Sequence, residues 1–309
     1  MRAFTLPTSF RLSALTTRGL SLLGLLVLGL CLAAPAAAAS AAQKRPASMQ
    51  PGHVETFTVG SIKVYGIVDA ATTFETTLLN PEFRLNLPQA SFAGVVKTYL
   101  LQWNGKNVLV DTGWGSNGPK GVTLQVLKQL GIAPEAVTDI LMTHLDADHA
   151  CGLAIEGRAT YPNATLHIAR PEYEAWMAGT VKRPADKVAL VKEKLSHYTP
   201  VLFNWGDIVL PGCTAVDAHG HTPGHTVFDL LSAGKQFSIL GDIMHIQAVQ
   251  LRFPRACTAY DMDQEAAIAS RLATFRRLAN TKVLVAGMHF PETGSLRLHA
   301  KGTYTLDRP

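Results

Sequence analysis

A short run of side chains that can bind metals follows a predicted buried strand near the middle of the chain. Residues 143–149 read Thr-His-Leu-Asp-Ala-Asp-His, which places His144, Asp146, Asp148 and His149 within six positions. Burying a carboxylate that has no partner is costly. A divalent cation removes that cost, and it accepts both nitrogen and oxygen ligands. The segment therefore predicts a metal site on a loop between two rigid elements.

Three later segments offer further ligands at positions where predicted strands end. Residues 219–226 read His-Gly-His-Thr-Pro-Gly-His-Thr, and Asp242 and His289 each follow an apolar run. Functional side chains commonly lie on loops that a rigid scaffold positions. We therefore expect His221, Asp242 and His289 to converge with the first segment, and we interpret His225 as a helper beside His221.

The order of these motifs along the chain resembles that of the metallo-β-lactamase superfamily. The resemblance rests on Asp111-Thr112-Gly113, the HxDxDH segment, Gly-His-Thr-Pro-Gly-His, Gly-Asp and the late histidine, and it extends from about residue 54 to residue 298. It implies a single α/β domain, an αββα sandwich, with two metal ions at one edge of the β layers. It implies that Asp111 orients ligands and that the ligands themselves fall into two sets joined by a bridge. These are His144, Asp146 and His221 for one ion, Asp148, His149 and His289 for the other, and Asp242 as the bridge.

One ligand position departs from the superfamily's usual HxHxDH pattern, because Asp146 stands where a histidine is expected. A carboxylate there resembles the HxExDH pattern of flavodiiron oxygen reductases, so a diiron redox enzyme is an alternative. If Asp146 binds a metal, its charge makes the site one unit less positive than the usual one. A less positive site attracts anions less strongly. This interpretation favours neutral substrates.

Within the superfamily, the chain resembles the branch of methyl parathion hydrolase and the quorum-quenching lactonases. The resemblance implies a hydrolase that attacks a small neutral ester, lactone or phosphotriester with a metal-bound hydroxide, which Asp148 and Asp242 orient. His245 stands where N-acyl homoserine lactonases often carry a tyrosine, and it either polarises the substrate or supports a neighbouring residue. We expect two divalent ions, with zinc favoured over iron or manganese. A non-catalytic metal- or ligand-binding protein is a further alternative.

The N-terminal residues have the pattern of a secretory signal peptide. Arg2, Arg11 and Arg18 precede an apolar run and then a series of alanines, and no acidic residue lies among them. This pattern predicts a cleaved signal over residues 1–42, a polar leader over 43–53 and the hydrolase domain over 54–309. Loss of the three arginines lowers the formal net charge from +5 to +2.

A chain of this kind is expected to be periplasmic or secreted, without a stable membrane anchor after cleavage. So weak a net charge gives no electrostatic case for binding nucleic acid, and the expected partner is a small molecule. A homodimer is compatible with the sequence. The three cysteines beyond the signal, Cys151, Cys213 and Cys257, permit one disulfide without indicating which pair forms it.

Alternation of short β-rich and helical segments predicts the elements that position these loops. Asp263 is typical of a helix N-cap, and Ile268, Leu272, Phe275 and Leu278 are the predicted inward face of the helix that follows it. The other predicted helices lie near 124–130, 171–177 and 184–196. The predicted strands are 54–59, 62–68, 95–101, 106–110, 138–143, 164–168, 213–217, 226–231, 236–240 and 282–286.

Overall fold

The secondary structure alternates groups of strands with helices, as the sequence pattern predicts. This computed structural model describes residues 46–85, 87–115 and 121–308. The strands are β1 Val54–Val59, β2 Ile62–Glu75, β3 Ser91–Trp103, β4 Lys106–Val110, β5 Asp139–Leu141, β6 Ala154–Ile155, β7 Arg158–Ala159, β8 Thr165–Ala169, β9 Val201–Phe203, β10 Ile208–Leu210, β11 Cys213–Asp217, β12 Thr226–Ser232, β13 Lys235–Ile239, β14 Leu284–Ala286, β15 Gly294–Leu298 and β16 Tyr304–Asp307. The α-helices are α1 Pro81–Arg84, α2 Thr123–Gln129, α3 Ala147–Ala150, α4 Arg170–Ala178, α5 Ala185–Leu195, α6 Gln247–Gln250 and α7 Gln264–Leu278.

The strands form two mixed sheets, one from each half of the chain. Among the described residues, the first sheet has the order β1-β2-β3-β4-β5-β8-β9 and the second has the order β10-β11-β12-β13-β14-β15-β16. Neighbouring strands in β4-β5-β8-β9 run parallel, as do β13 and β14, whereas the other pairs in the two sheets are antiparallel. A further pair, β6 and β7, forms a small separate ribbon.

Three apolar clusters show how the layers pack. The cluster between the sheets contains Tyr99 and Val110 from the first sheet and Phe228, Phe237 and Ile239 from the second. A second cluster packs α2, α4 and α5 against the outer face of the first sheet, and a third packs α7 against the outer face of the second. The order of layers is therefore helix, sheet, sheet, helix, and the predicted αββα sandwich is confirmed. The described residues belong to one compact unit.

The predicted strands match the structure best where the pattern is local. Asn104 and Gly105 both have positive φ, at 51° and 75°, and they connect β3 to β4 as an Asn-Gly turn should. Strands β2 and β3 are longer than predicted, because they remain paired through Glu75 and Ser91. Strands β9, β10, β15 and β16 were not predicted.

The N-cap of α7 is confirmed, but its buried face is partly wrong. The Asp263 carboxylate accepts a hydrogen bond from the backbone N–H of Ala266 at 3.0 Å. Phe275 and Leu278 are buried as predicted, whereas Ile268 and Leu272 are only partly buried. Buried positions on the helix include Arg271, which a pattern of apolar residues cannot indicate.

Arg271 is buried because every group it meets can accept a hydrogen bond. Its guanidinium donates to the carbonyl oxygens of Ile243, Pro254 and Ala256 and contacts the Asp261 carboxylate at 3.5 Å. A buried charge is tolerated when it is paired and hydrogen-bonded. The buried face of the helix therefore includes a cation that is held by the loops after β13 and before α7.

Cys151, Cys213 and Cys257 are all buried, and none of the three forms a disulfide. Burial raises the pKa of the Cys213 thiol to about 12, so this thiol stays protonated and unreactive at neutral pH. The predicted signal peptide, and residues 43–45 of the predicted leader, lie outside the described residues. Within the part that is described, none of the helices has the length and apolar character needed to cross a bilayer.

Candidate metal centre

Four loops at the ends of strands carry the residues that the sequence analysis singled out. Residues 143–149 follow β5 of the first sheet and lead into α3. The other three loops belong to the second sheet, and they join β11 to β12, follow β13 and follow β14. The two sheets face one another, so these loops meet at one edge of the sandwich. All seven predicted ligands are brought together there.

The point of convergence is a single carboxylate oxygen, Oδ2 of Asp242. Five imidazole Nε2 atoms lie within 2.9–3.6 Å of it. They belong to His289 at 2.9 Å, His245 at 3.3 Å, His149 and His221 at 3.4 Å and His144 at 3.6 Å. The Asp242 side chain is 2% exposed. A buried carboxylate surrounded by five imidazoles is an arrangement for holding cations.

The two remaining aspartates divide the histidines into two groups. Asp146 Oδ2 lies 3.2 Å from His221 Nε2 and 3.7 Å from His144 Nε2. Asp148 Oδ2 lies 3.5 Å from the corresponding atom of His289, and it lies 3.6 Å from that of the adjacent His149. These groups are the two ligand sets that the resemblance implied, and Asp242 stands between them. The coordination of metal by these residues stays a prediction.

The far nitrogen of four of the five clustered histidines has a hydrogen-bonding partner, whereas that of His245 has none among the described residues. Nδ1 of His149 lies 2.8 Å from Asp111 Oδ2, and Nδ1 of His221 lies 3.1 Å from Asp261 Oδ1. In the same way His289 Nδ1 donates to the carbonyl oxygen of Val95 at 2.9 Å. Acceptors on Nδ1 place the proton there and leave the lone pair of Nε2 directed inward. This is the usual arrangement behind metal-binding histidines.

Asp111 also reaches the first histidine of the motif, through a threonine. Thr143 Oγ1 donates to Asp111 Oδ2 at 2.7 Å and lies 3.0 Å from His144 Nδ1. Asp111 therefore contacts His149 directly and His144 through Thr143. These contacts fit the orienting role that the resemblance implied.

The donor atoms fit a pair of metal ions. Among the described residues, Nε2 of His144, His149 and His221 and Oδ1 of Asp242 are buried and have no hydrogen-bond partner. Buried polar atoms of this kind are normally satisfied, so each calls for an occupant. Ligands about 2.0–2.1 Å from a tetrahedral zinc ion lie about 3.3 Å from one another. The separations between the imidazole Nε2 atoms and the carboxylate oxygens, Asp242 Oδ2 included, are 2.9–3.7 Å and fit that spacing.

The electrostatics of the cluster also favour a bound cation. Burial opposes a charged imidazole, but the carboxylates of Asp146 and Asp261, which lie 3.2 Å and 3.1 Å from the two ring nitrogens, outweigh it and raise the pKa of His221 to about 10. For His289, burial is likewise outweighed by the Asp242 carboxylate, and its pKa is raised. Without metal, the His221 ring therefore holds an additional proton at neutral pH. Protons and metal ions compete for the same lone pairs, so metal binding should release protons.

The turn that carries Asp242 is fixed by His225. The backbone N–H of Asp242 donates to His225 Nε2 at 2.8 Å, and His225 Nδ1 donates to the carbonyl oxygen of Ala218 at 3.0 Å. Burial lowers the pKa of His225 to about 3, so the ring stays neutral and can accept. Gly241 has φ of +56°, and a Cβ there would lie 2.4 Å from His225 Nε2. Glycine is therefore required for this close approach, and His225 positions Asp242, whereas the sequence placed it as a helper of His221.

A buried glutamate that the sequence analysis missed connects two of the ligand loops. Glu172 Oε1 accepts from the backbone N–H of Leu145 at 2.9 Å and from the indole of Trp176 at 2.8 Å. Its Oε2 accepts from the backbone N–H of Gly224 at 2.7 Å. Leu145 lies inside the HxDxDH loop and Gly224 lies in the loop of His221. One carboxylate thus sets the distance between the two sheets' ligands.

His245 faces the bridging position and also lines the cavity above it. Its side chain is 2% exposed, and its ring stacks on that of His289 with centroids 4.8 Å apart. Its backbone N–H donates to Gln250 Oε1 at 2.7 Å, which fixes the loop. Nε2 lies 3.3 Å from Asp242 Oδ2, so the ring can support that carboxylate, and its place in the lining also gives it access to a substrate.

A cavity of about 420 Å³ opens above the cluster. Its walls combine apolar side chains with the metal-binding residues, and cations lie on one side. The apolar part includes Phe74, Val96, Trp114 and Trp176, and the cations are Lys182, Arg183 and Lys187. Such a pocket has the size and the mixed character of a small-molecule site.

Comparison with known families gives the same assignment. The family described as the metallo-beta-lactamase superfamily matches residues 92–286, which is well over half of the chain. The chain belongs to the metallo-β-lactamase superfamily.

Curated relatives in this superfamily are lactonases. The N-acyl homoserine lactonase AiiA of Bacillus thuringiensis subsp. kurstaki is 27% identical over 169 residues, which are 48% of this chain and 60% of the relative. The N-acyl homoserine lactonase AttM of Azorhizobium caulinodans is 34% identical over 117 residues, which are 35% of this chain and 41% of the relative. The match thus spans at most about 60% of the length of these two relatives.

Solved structures of the superfamily share the fold over most of the chain. The hydrolase AbOPH has a TM-score of 0.75 at 24% identity, with 84% of this chain and 98% of that chain covered. AidC, a dizinc quorum-quenching lactonase, has a TM-score of 0.71 at 21% identity, with 83% and 97% covered. At such identities the likeness establishes the fold.

Proposed function

We propose that this protein is a dinuclear metal-dependent hydrolase that opens a small neutral lactone, with N-acyl homoserine lactones as the first substrates to test. The observation that carries the proposal is the convergence of five imidazoles on Asp242 Oδ2, with Asp146 and Asp148 beside those imidazoles, at the floor of an apolar-walled cavity. The curated relatives supply the substrate class, since they are N-acyl homoserine lactonases.

The residues of the chain have separable tasks in this proposal. One ion would be held by His144, Asp146 and His221. The other would be held by Asp148, His149 and His289, and Asp242 would contact both. Two divalent ions supply a more acidic water as nucleophile and polarise the oxygen of the scissile carbonyl. Asp148 and Asp242 orient the nucleophile, and His245 Nε2 holds Asp242 in place. Phe74, Val96 and Trp176 exclude water from an acyl chain.

Metal removal and reloading test the proposal directly. We expect the purified protein to carry about two zinc ions per chain, to lose hydrolysis on chelation and to recover it with zinc. The measurement pairs metal analysis with rates on a lactone, an aryl ester and a phosphotriester. His219→Ala is a matched control for His221→Ala, because His219 is a histidine of the same loop whose side chain is 48% exposed.

Other outcomes separate the alternatives. Iron together with an oxygen-dependent colour change would replace the hydrolase with diiron redox chemistry. Two tightly bound ions without turnover of any panel member would favour a non-catalytic binding protein.

We also propose that the protein is exported, on the strength of the charged, apolar and small-residue sequence of its first 42 residues. Expression of the full chain should yield a periplasmic or secreted product that begins after Ala39 or Ala42. Intact mass measurement decides this, and an unprocessed chain retained in the cytoplasm would overturn the proposal.

A further inference from the structure

Asp146, the residue that departs from the superfamily pattern, is paired with Arg183, which is distant from it in the sequence. Arg183 Nε donates to Asp146 Oδ1 at 2.7 Å, and Arg183 Nη2 donates to Asp146 Oδ2 at 2.5 Å. The two side chains are each 13% exposed. This is the two-pronged arrangement in which a guanidinium fits a carboxylate best.

The arginine is itself held in place. Its Nη2 also donates to the carbonyl oxygen of Tyr260 at 2.9 Å, and its Nη1 donates to that of Lys182 at 3.2 Å. Swinging the fork away from Asp146 would therefore break these two hydrogen bonds as well.

One oxygen of Asp146 serves both the arginine and the metal cluster. Oδ2 accepts from Arg183 and lies 3.2 Å from His221 Nε2 and 3.7 Å from His144 Nε2. The carboxylate thus faces the imidazoles of the cluster while the Arg183 guanidinium neutralises its charge.

We propose that Arg183 and Asp146 act as one unit that replaces the neutral second histidine of the HxHxDH pattern. This inference rests on the proposed dinuclear site. A carboxylate and a guanidinium together have a net charge of zero, and so does a neutral imidazole. The pair therefore gives the site the same formal charge as the usual pattern. Arg183 is a positioning residue that acts through Asp146.

The inference changes the charge argument made from the sequence. Counting Asp146 without Arg183 makes the formal charge of the site one unit too negative. Charge at this position therefore gives no preference for neutral substrates. The preference now rests on the apolar walls of the cavity and on the relatives.

If Asp146 and Arg183 act as one unit, the effect on zinc affinity of changing one residue should depend on whether the other is also changed. Asp146→His alone leaves the Arg183 guanidinium unpaired beside the ions, and we expect it to weaken binding of the more loosely held zinc ion by about tenfold or more. Asp146→His with Arg183→Met removes that repulsion and should bring zinc affinity back to within about threefold of the unmodified protein. The measurement is zinc competition with a chromophoric chelator.

A second readout reports the ligand geometry without turnover. The absorption spectrum of the cobalt-substituted protein should change in the Asp146→His variant and approach that of a site with the usual ligands in the double variant. Lys187→Met is the matched control, since Lys187 is another cation of the same cavity and its ion pair is with Asp186. It should leave both the affinity and the spectrum unchanged.

The outcomes distinguish this inference from the proposed function. If the unmodified protein fails to bind two ions, the proposed dinuclear site is overturned. The cycle also needs Arg183→Met alone. If the protein binds two ions but the effects of Asp146→His and of Arg183→Met simply add in the double variant, the pairing inference is overturned. Should Asp146→His fail to fold, Asp146→Asn and Arg183→Lys complete the same cycle with smaller changes, and additivity there has the same meaning.

Discussion

We expect Asp242→Asn to lower hydrolysis by about a thousandfold without unfolding the protein. Several kcal/mol of transition-state stabilisation come from correctly held metal ions, and each 1.36 kcal/mol is a factor of ten in rate. Oδ2 of Asp242 is the atom that five Nε2 atoms approach within 3.6 Å, and an amide there supplies neither the charge nor a second oxygen. Metal content should fall in parallel.

The Asp242 substitution has a control in the same sheet. The backbone N–H that donates to His225 is retained in the asparagine variant, so the loop keeps this hydrogen bond and the variant should still fold. Asp217→Asn alters an exposed aspartate that pairs with His219 outside the site, and it should leave both rate and metal content unchanged. An Asp242→Asn protein with two bound ions and undiminished turnover would disprove the bridging role.

Glu172→Ala should lower the free energy of unfolding by about 3–5 kcal/mol and also reduce activity. The change leaves three buried donors without their acceptor, on Leu145, Trp176 and Gly224, and each such group costs about 1–3 kcal/mol. It also removes the carboxylate that spaces two ligand loops. Denaturant unfolding of the metal-free protein measures the stability loss separately from the loss of metal.

Glu174 lies on the same helix and provides the control for Glu172. Its side chain is 63% exposed and its ion pair with Arg170 spans 3.9 Å, so Glu174→Ala should change stability by less than about 0.5 kcal/mol. A Glu172→Ala protein as stable and as active as the Glu174→Ala protein would show that the connection is dispensable.

The sequence was sufficient to predict the parts of the site that follow local rules. His144, Asp148 and His149 stand within one short loop, and glycine turns mark the ends of the strands before Asp242 and His289. Such features depend on residues that are neighbours in the chain. The layer order could be predicted for the same reason, since alternating strand and helix patterns are local.

The partners of these ligands could not be predicted, because they come from distant elements. Arg183 is 37 positions from Asp146, Asp261 is 40 positions from His221, and Glu172 is 52 positions from Gly224. Each occurs in a stretch that reads as an ordinary polar surface. Only the packed structure shows that their charges are buried and satisfied. Short strands such as β9 and β10 were missed because three residues carry too little pattern.

The division of the candidate ligands between the sheets would give bound metal ions a mechanical role. The first sheet is built from residues 54–203 and supplies one ligand loop, whereas the second is built from residues 208–307 and supplies the other three. Ions bound between these loops would link two successive halves of the chain. Neither half could then unfold without releasing the ions, so metal loading would couple the unfolding of the halves and stabilise the native state by mass action. Partial unfolding of either half would therefore abolish metal binding and weaken the contact between the halves in the same event.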